Sequence, residues 1–511
     1  MTQPSSFLWY DYETWGIQPR RDGIAQFAAV RTDANLNLIG DPVDLKCRPL
    51  PDTVVSPDAA LVTGLNPADC DRTGLSEWQF AEQIQQLMAE PGSCVTGYNS
   101  LRFDDEFSRH LFYRNLLDPY SREWRNGNSR WDLLDVVRLT YALRPQGIEW
   151  PTHEDGTPSF KLEQLTAANG IEHGNAHDAV SDVLATIELA RLIRRHQPKL
   201  FDYALELRTK AAVRRQLKFD EREPHLHVSG RIPAARGCLA VELPLIEHPD
   251  RRNEIIVLDL TDDPSWLLDH NADQLRDWLY TPNDDLPEGI ARVPLRTLHL
   301  NRSPMVAPYA MLDDEVAQRL GVDRDAIERH RAIVDRWHDL VTLARDVFRD
   351  EDRAPFIDPE HALYAGFIDD HDRGILNRIR ASTDRPEAWP GLAEDLHDDR
   401  QQTLVFNARA RHFSDSLSAA DAAQWRDQVK RNLTEADWGS SLSWQQAFDR
   451  TEELLQEQPE SAVLLQVKDW LETQRQQWLA EAKESTKASK KTASTAEPAD
   501  TGHEQLGLFD E

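Results

Sequence analysis

"SSFLWYDYETWG", Ser5–Gly16, sets two carboxylates inside an apolar and aromatic run. The letters FLWY are typical of a strand that enters a protein core. Because side chains alternate faces along a strand, Asp11 and Glu13 share one face and the tyrosines beside them share the other. Two adjacent carboxylates repel each other unless a positive charge lies between them, and a hard divalent cation such as Mg²⁺ supplies that charge. The stretch therefore predicts a strand that carries a metal site; for Asp-x-Glu alone, a solvated strand end is the alternative.

Two later stretches add two carboxylates and a histidine. "GYNSLRFDDEFSRH" puts Asp104 at the start of a predicted helix, shortly after a predicted strand. "NAHDAVSDVLAT" puts His177 five residues before Asp182, which is about 140° around a helix. The two side chains converge only if His177 lies on the entering loop and Asp182 faces the sheet in the first turns. Taken alone, Asp104 suits any helix N-terminus, and the other two suit ordinary surface positions.

Taken together, these residues match the requirements of two-metal phosphodiester cleavage. Three or four carboxylates hold two cations about 3.5–4 Å apart. A nearby histidine, with an unperturbed pKa of about 6.5, can accept a proton from the attacking water at neutral pH. Neighbouring acids compete for the ligand roles: Asp105, Glu106, Asp132, Asp135 and Asp178.

Composition limits the class of protein. The 511 residues include 58 basic and 88 acidic side chains, a net charge of −30, and at roughly 100–200 residues per domain this length predicts three domains. Such an acidic chain must gather the positive charge of any nucleic-acid site in a groove. Four widely spaced cysteines without a C-x-x-C pair fit a reduced, cytoplasmic protein without a zinc site. The sequence shows no signal-peptide pattern and no apolar run long enough to span a membrane.

The order of predicted elements divides the chain into four parts. Strands, followed by alternating strands and helices, predict an α/β domain with a mixed sheet over 1–198. Short strands between turn signals predict a small β-rich domain over 199–352. Helical periodicity dominates 354–480. The remaining segment, 481–511, is low in apolar residues, which predicts disorder.

The order Asp11-x-Glu13, Asp104, His177, Asp182 resembles the DEDDh superfamily of 3′→5′ exonucleases. The stretches "DYETWG", "GYNSLRFDDE", "RWDLLDVVRL" and "QPKLFDY" look specifically like the bacterial exonuclease I family. That resemblance implies a ribonuclease H-like α/β exonuclease domain with a mixed sheet, an SH3-like β-rich domain and an all-helical C-terminal domain. It also implies degradation of single-stranded DNA to 5′-mononucleotides in DNA repair or recombination, with two Mg²⁺ ions that Mn²⁺ can replace.

By the same resemblance, the four acids of that series are the metal ligands and His177 is the general base. Asp105, directly after Asp104, is the residue most easily mistaken for a ligand. Two other functions fit the same sequence features. One is a DEDDh exoribonuclease, and the other is a non-catalytic single-stranded DNA-binding scaffold tethered to the sliding clamp.

An exonuclease without sequence preference must hold a single strand by its phosphates and by base stacking. Arginines track phosphates, and aromatic rings offer stacking worth about 1–3 kcal/mol per base. Both residue types alternate between positions 102 and 138, with core packing and surface ion pairs as the alternative. The contacts predicted in this segment are Arg109, Tyr120, Trp124 and Arg138. Those implied by the family resemblance are Glu13, Thr14 and Trp15 near the terminal sugar, Gly64 and Leu65 at the last bases, Lys161 where relatives carry Arg, and Lys210.

The segment after residue 480 contains "EQLGLFDE". Within it, Gln505, Leu506, Leu508 and Phe509 resemble the Q-L-x-L-F peptide that bacterial partners present to the replication sliding clamp. Apolar anchors on a solvated tether suit a hydrophobic pocket, and a flexible linker raises the effective concentration near the clamp. The family resemblance further implies binding to the C-terminal tail of single-strand-binding protein, and we expect a monomer.

Overall fold

The quoted stretch forms the central strand of a five-stranded sheet. In the order β3-β2-β1-β4-β5, the first three strands pair antiparallel and the last three pair parallel. This arrangement confirms the predicted mixed sheet. The strands are β1 (Ser6–Thr14), β2 (Ile24–Asp33), β3 (Leu38–Lys46), β4 (Ser93–Thr96) and β5 (Ser129–Arg130).

The structure is a computed structural model that describes residues 3–174, 178–349, 356, 358–435 and 438–480. His177 and the clamp-peptide residues Gln505, Leu506, Leu508 and Phe509 lie outside the described residues, so the predictions made for them are not tested by the fold. Within the described ranges, no helix combines the length and the apolar character needed to cross a membrane.

Helices cover both faces of this sheet. Four of them begin where a short polar side chain caps the free amides of the first turn. Ser76 caps α3 by accepting from the Gln79 amide, and Asp132 caps α5 by accepting from the Leu134 amide at 3.0 Å. The helices are α1 (Pro57–Thr63), α2 (Pro67–Thr73), α3 (Glu77–Met88), α4 (Asp104–Arg114), α5 (Leu133–Leu143), α6 (Leu162–Ala168), α7 (Ala179–His196) and α8 (Pro198–Glu206).

A second, fully antiparallel sheet follows, with the strand order β10-β6-β7-β8-β9. Its strands are β6 (His225–Val228), β7 (Leu239–Glu247), β8 (Glu254–Asp259), β9 (Leu295–His299) and β10 (Met305–Pro308). The helices around it are α9 (Lys210–Leu217), α10 (Ala272–Tyr280), α11 (Asp314–Leu320), α12 (Arg324–Val334) and α13 (Leu340–Val347). This is the β-rich middle domain that the sequence predicts.

Helices make up the described C-terminal region. They are α14 (Asp370–Arg380), α15 (Trp389–Ala393), α16 (Asp399–His412), α17 (Ala419–Thr434), α18 (Trp444–Glu457) and α19 (Ala462–Gln474). A buried ion pair attaches this region to the first domain: Arg411 lies 2.5 Å from Asp52 and 2.6 Å from Glu360. The first domain is thus held against the helical region by a contact between residues 359 positions apart in the chain.

The two faces of β1 pack in different apolar clusters. Tyr10 and Tyr12 pack with Phe27 in one apolar cluster, while Phe7 and Trp9 pack in a second cluster on the opposite face. The alternation predicted from the sequence is therefore confirmed. Continuing along the Phe7 and Trp9 face, the strand carries its carboxylates out of the apolar core and toward a cavity.

Candidate active site

Three of the predicted carboxylates converge. Asp11 and Glu13 lie on β1, and Asp182 lies in the first turn of α7, which packs on β1. One carboxylate oxygen from each lies within 4.8 Å of the other two. Glu13 is buried, while the other two are half-buried. The helix geometry expected for Asp182, facing the sheet at the start of its helix, is what the structure contains.

Asp104 lies beside this cluster as the first residue of α4. It is 3% exposed, and its Oδ1 accepts a hydrogen bond from the Tyr12 amide at 3.1 Å. Burial and then the charge of Asp11 raise the pKa of Asp104 well above its ordinary value. The structure therefore brings all four predicted acidic residues to one place, from three segments of the chain.

The cluster gathers like charges, and burial and mutual repulsion raise the pKa values of its carboxylates. Burial and then the charge of Asp182 raise the pKa of Asp11 to about 7, and burial with the charges of Asp11 and Asp182 raises that of Glu13 to about 8. Among the described residues, no arginine or lysine forms an ion pair with Asp11, Glu13 or Asp104. Oxygen ligands that lack a counter-charge fit hard divalent cations.

Asp105 belongs to a different cluster, which favours Asp104 as the ligand of this pair. Its carboxylate is held by Arg122 and Arg130, and Arg109 lies 3.7 Å away. Burial alone would raise its pKa, but these guanidiniums hold it well below the usual range. A carboxylate already neutralised by three arginines is not a metal ligand, so Asp104 is the better choice.

Two other competing acids also have structural roles. Asp132 accepts hydrogen bonds from the amides of Asn99 and Leu101, both at 3.0 Å, in addition to capping α5. Asp135 pairs with Arg102 and with Arg138. Neither is part of the carboxylate cluster.

His173 lies at the cluster, and the sequence analysis missed it. His173 Nε2 lies 2.5 Å from Asp182 Oδ1, and its Nδ1 shares a hydrogen bond of 3.1 Å with Thr166. The sequence does contain a signal for this residue, because His173 lies four residues before His177 in "HGNAH". It was overlooked because the family resemblance directs attention to His177 alone.

The cluster opens into a cavity of about 630 Å³ between the first and middle domains. Asp11 and Asp182 line one part of it, and Lys161 and Arg138 line another. A Cβ atom on Gly230 of the middle domain would lie 2.7 Å from the Arg138 Cζ, so a larger residue there would displace the Arg138 guanidinium. The volume falls within the ~300–1,000 Å³ typical of small-ligand sites.

Several predicted DNA contacts have accessible positions. Trp124 is 64% exposed, and the Arg125 guanidinium lies 5.7 Å from its ring centroid. Lys161 is exposed at the cavity edge. Arg138 pairs with Asp135 at 2.8 Å, and its Nε has no hydrogen-bond partner among the described residues.

Two predicted side-chain contacts are at odds with the burial that the structure shows. Trp15 is 1% exposed and packs with C-terminal helices, so its ring is enclosed by protein. The side chain of Arg109 is 6% exposed and pairs with Glu106 at 2.9 Å and Glu123 at 2.8 Å. Core packing and ion pairing, the alternatives weighed for these residue types, account for both.

The remaining predicted contacts have intermediate positions. Tyr120 is half-buried between Arg109 and Phe367, and Thr14 is buried with its hydroxyl donating to the Gly16 carbonyl at 2.7 Å. Gly64 has a left-handed φ of 67° at the end of α1, and Leu65 is half-buried beside it. Lys210 is exposed and donates to Asn253 at 2.7 Å. These contacts stay predictions.

The structure also contains a basic groove that the sequence analysis did not identify. It lies between the first and middle domains and includes Arg102, Arg231, Arg296, Arg302 and His299. Three of the arginines pair with acids, but Arg231 forms no ion pair with any described residue. These residues come from distant segments of the chain, so the sequence pattern does not reveal the groove.

Comparison with known proteins gives the same domain order. Family models match in sequence: Exonuclease over residues 8–190, Exonuclease I SH3-like domain over 208–350, and Exonuclease I C-terminal domain over 357–474. Exodeoxyribonuclease I of Haemophilus influenzae is 42% identical over 468 residues, which cover 91% of this chain and 98% of that protein.

Solved structures agree over the full fold. Exonuclease I from Methylocaldum szegediense is 43% identical with a TM-score of 0.87, and the alignment covers 93% of this chain and 100% of that one. Escherichia coli exonuclease I in complex with a dA16 oligonucleotide is 39% identical with a TM-score of 0.87, covering 93% and 99%. Because these relatives match it over almost their entire length, the chain belongs to the exonuclease I (exodeoxyribonuclease I) family of nucleases.

Proposed function

We propose that this chain degrades single-stranded DNA in the 3′→5′ direction and releases 5′-mononucleotides. The observation that carries the proposal is the cluster of Asp11, Glu13 and Asp182, with Asp104 beside it, at a cavity of about 630 Å³ that Asp11 and Asp182 line. The E. coli relative was solved in complex with a single-stranded oligonucleotide, which supports the same substrate here.

The donor set at this site fits a divalent metal ion, which the family requires for activity. We infer that the four carboxylates hold two Mg²⁺ ions and that Mn²⁺ can replace them, because every ligand is an oxygen. When bound, such ions lower the pKa of the attacking water and stabilise the charge on the leaving oxygen. The chain itself holds its ligands in place through β1 packing and through the Tyr12 amide, which fixes Asp104.

We assign the proton transfer to His177 from the family resemblance. A histidine suits this role because its ordinary pKa lies near neutral pH. His173 contacts Asp182 and so orients that carboxylate rather than the substrate. Both histidines precede α7 in the sequence, and Asp182 lies in the first turn of that helix.

The DNA strand must be held by a chain with a net charge of −30. The basic groove concentrates positive charge where a phosphodiester backbone can lie, and partial burial with neighbouring arginines lowers the pKa of Arg231. A phosphate beside Arg231 would relieve that repulsion. Trp124 offers an exposed ring for stacking, which does not depend on base identity.

One experiment tests the proposed reaction. Full-length protein with Mg²⁺ is given DNA or RNA strands labelled at the 3′ or the 5′ end. We expect immediate release of labelled mononucleotide from 3′-labelled DNA, and a loss of about 10²–10⁴-fold in His177→Ala with DNA binding retained. Faster release from RNA would favour an exoribonuclease, and binding without release would favour a scaffold.

The tail peptide suggests how the enzyme reaches DNA. We propose that Gln505, Leu506, Leu508 and Phe509 bind the sliding clamp, and that the tail of single-strand-binding protein also binds this chain in DNA repair or recombination in the cytoplasm. The double variant Leu508→Ala/Phe509→Ala should lose clamp binding in a pull-down while nuclease activity on free DNA is unchanged. Asp510→Ala is the matched control, and equal clamp binding by both variants would refute the assignment. Size-exclusion chromatography with light scattering tests the expected monomer.

A further inference from the structure

A second group of potential metal ligands lies in the C-terminal helical domain. His371, Asp372 and His397 each offer one ligand atom, and these atoms lie within 4.8 Å of one another. The first two residues are in the opening turn of α14, and His397 lies in the loop just before α16. Both histidines are exposed, whereas Asp372 is 1% exposed. Two histidines and a carboxylate form a mixed nitrogen and oxygen donor set, unlike the all-carboxylate catalytic cluster.

Hydrogen bonds already orient both imidazole rings. His371 Nε2 lies 3.0 Å from the Asp395 carbonyl oxygen, and His397 Nδ1 lies 3.3 Å from Asp369 Oδ2. A neutral histidine that donates from one ring nitrogen keeps a lone pair on the other. Histidines that bind metals usually have such an oxygen partner, which fixes the tautomer and the ring direction. The two rings stack in parallel, with centroids 4.2 Å apart and planes 11° apart, so one exposed ring has to turn about its Cβ–Cγ bond before both can bind the same ion.

The backbone around the histidines is fixed by the same acids. Asp372 accepts hydrogen bonds from the amides of His397 at 2.9 Å and Asp398 at 3.1 Å. Asp369 caps α14 by accepting from the Asp372 amide at 2.7 Å. The loop and the helix are therefore tied together before any ion binds, so binding does not have to order a flexible segment. Preorganisation of this kind improves affinity because less conformational entropy is lost.

We propose that His371, His397 and Asp372 bind one divalent transition-metal ion of the Zn²⁺ type, with solvent completing the coordination. Imidazole nitrogens together with a carboxylate oxygen suit Zn²⁺, whereas Mg²⁺ prefers oxygen ligands alone. The ion links the start of α14 to the loop before α16. Its effect is therefore on the stability of the C-terminal domain and not on phosphodiester cleavage.

The proposal is tested with the full-length protein and Zn²⁺ in excess Mg²⁺. Equilibrium dialysis gives the zinc bound per chain for the wild type, His371→Ala, His397→Ala and the double variant. His338→Ala removes another exposed histidine and is the matched control. We expect the double variant to bind one zinc ion fewer than the wild type, and each single variant to bind that ion at least about tenfold more weakly. Nuclease activity with Mg²⁺ should be equal in all five proteins.

Equal zinc binding by the wild type and the double variant would overturn the proposal, as would a loss in His338→Ala of the same size. A measurement on the wild type alone guards against misfolded variants. Co²⁺ held by two imidazoles should give a visible absorption band that Zn²⁺ abolishes and excess Mg²⁺ leaves in place. The absence of such a band would also refute the site.

Discussion

Asp104 and Asp105 are neighbours in the chain and both are buried, yet their surroundings carry opposite charge. Asp105 is surrounded by the guanidiniums of Arg109, Arg122 and Arg130. Asp104 has no such partner among the described residues and lies beside further carboxylates. The fold therefore neutralises one carboxylate internally and leaves the other to be neutralised by an ion that the chain does not encode.

This difference separates residues that maintain the fold from residues that perform chemistry. The Asp105 cluster ties α4 to the segment that contains Arg122 and Arg130, and it is complete without a ligand. The carboxylate cluster is unfavourable in a metal-free protein, because burial and mutual repulsion oppose ionisation. Substitutions in the two clusters should therefore affect different properties of the protein.

Asp104→Asn should have the largest effect on activity. Removing a metal ligand costs several kcal/mol of transition-state stabilisation, or roughly 10²–10⁴-fold in kcat/KM. Stability should be unchanged or higher, since the substitution removes a buried like charge. Release of mononucleotides from 3′-labelled DNA measures the first effect and urea unfolding measures the second. Activity within about tenfold of wild type would remove Asp104 from the metal site.

Asp105→Asn should lower the free energy of unfolding more than it lowers nuclease activity. It leaves three buried guanidiniums without their shared anion, and breaking a buried ion pair in this way costs about 3–5 kcal/mol of unfolding free energy. Urea unfolding at neutral pH measures the loss. A fall of less than about 1 kcal/mol, the value typical of exposed pairs, together with a large loss of activity, would reverse the assignment of the two aspartates.

The sequence was sufficient to predict the positions of site residues that depend on local pattern. Alternation along β1 separates Asp11 and Glu13 from the tyrosines, and the position of Asp182 in its helix follows from the 3.6-residue period. The family resemblance then selected Asp104 over Asp105, which local pattern could not do because both residues begin the same helix.

The parts that could not be predicted depend on distant segments. Trp15 is buried by helices that follow it by about 400 residues, so no local signal separates it from an exposed aromatic ring. Arg109 is buried because Glu123 comes from the next segment to meet it. Arg231 comes to lie beside Arg102 and Arg302 through the packing of two domains, and it forms no ion pair within the described part of the chain. Burial of this kind is a tertiary property, and composition and spacing do not contain it.

The metal-free protein should show a pH dependence that Mg²⁺ removes. Burial and neighbouring charge raise the pKa of Asp11 to about 7 and that of Glu13 to about 8, whereas both groups titrate near pH 4 in an unfolded chain. Between these values the folded state binds more protons than the unfolded state, so stability falls as pH rises from about 4 to about 8.

Urea unfolding with a chelator, compared at about pH 5 and about pH 8, should show a loss of roughly 1–3 kcal/mol at the higher pH. Excess Mg²⁺ should reduce that loss, because the bound ion neutralises the ionised carboxylates. Asp105 contributes in the opposite direction: its pKa is lowered, so its stabilisation is present above about pH 4 and is lost on further acidification. An identical slope with and without Mg²⁺ would contradict a metal site at Asp11 and Glu13.

Trp124→Ala should give the smallest of these effects, a modest loss of affinity for single-stranded DNA. It tests whether the segment held by the Asp105 cluster also contacts the strand. Trp124 lies between Arg122 and Arg130 in sequence, so the two arginines that neutralise Asp105 also hold the segment that exposes this ring. Loss of one stacking platform should weaken binding of single-stranded DNA by about 1–3 kcal/mol, with unfolding free energy unchanged. Fluorescence anisotropy with a labelled oligonucleotide and a chelator measures binding without cleavage. Tyr280→Ala removes an exposed aromatic ring on the middle domain and is the matched control. If both variants bind DNA as tightly as the wild type, the arginine cluster around Asp105 supports the fold alone and not the path of the strand.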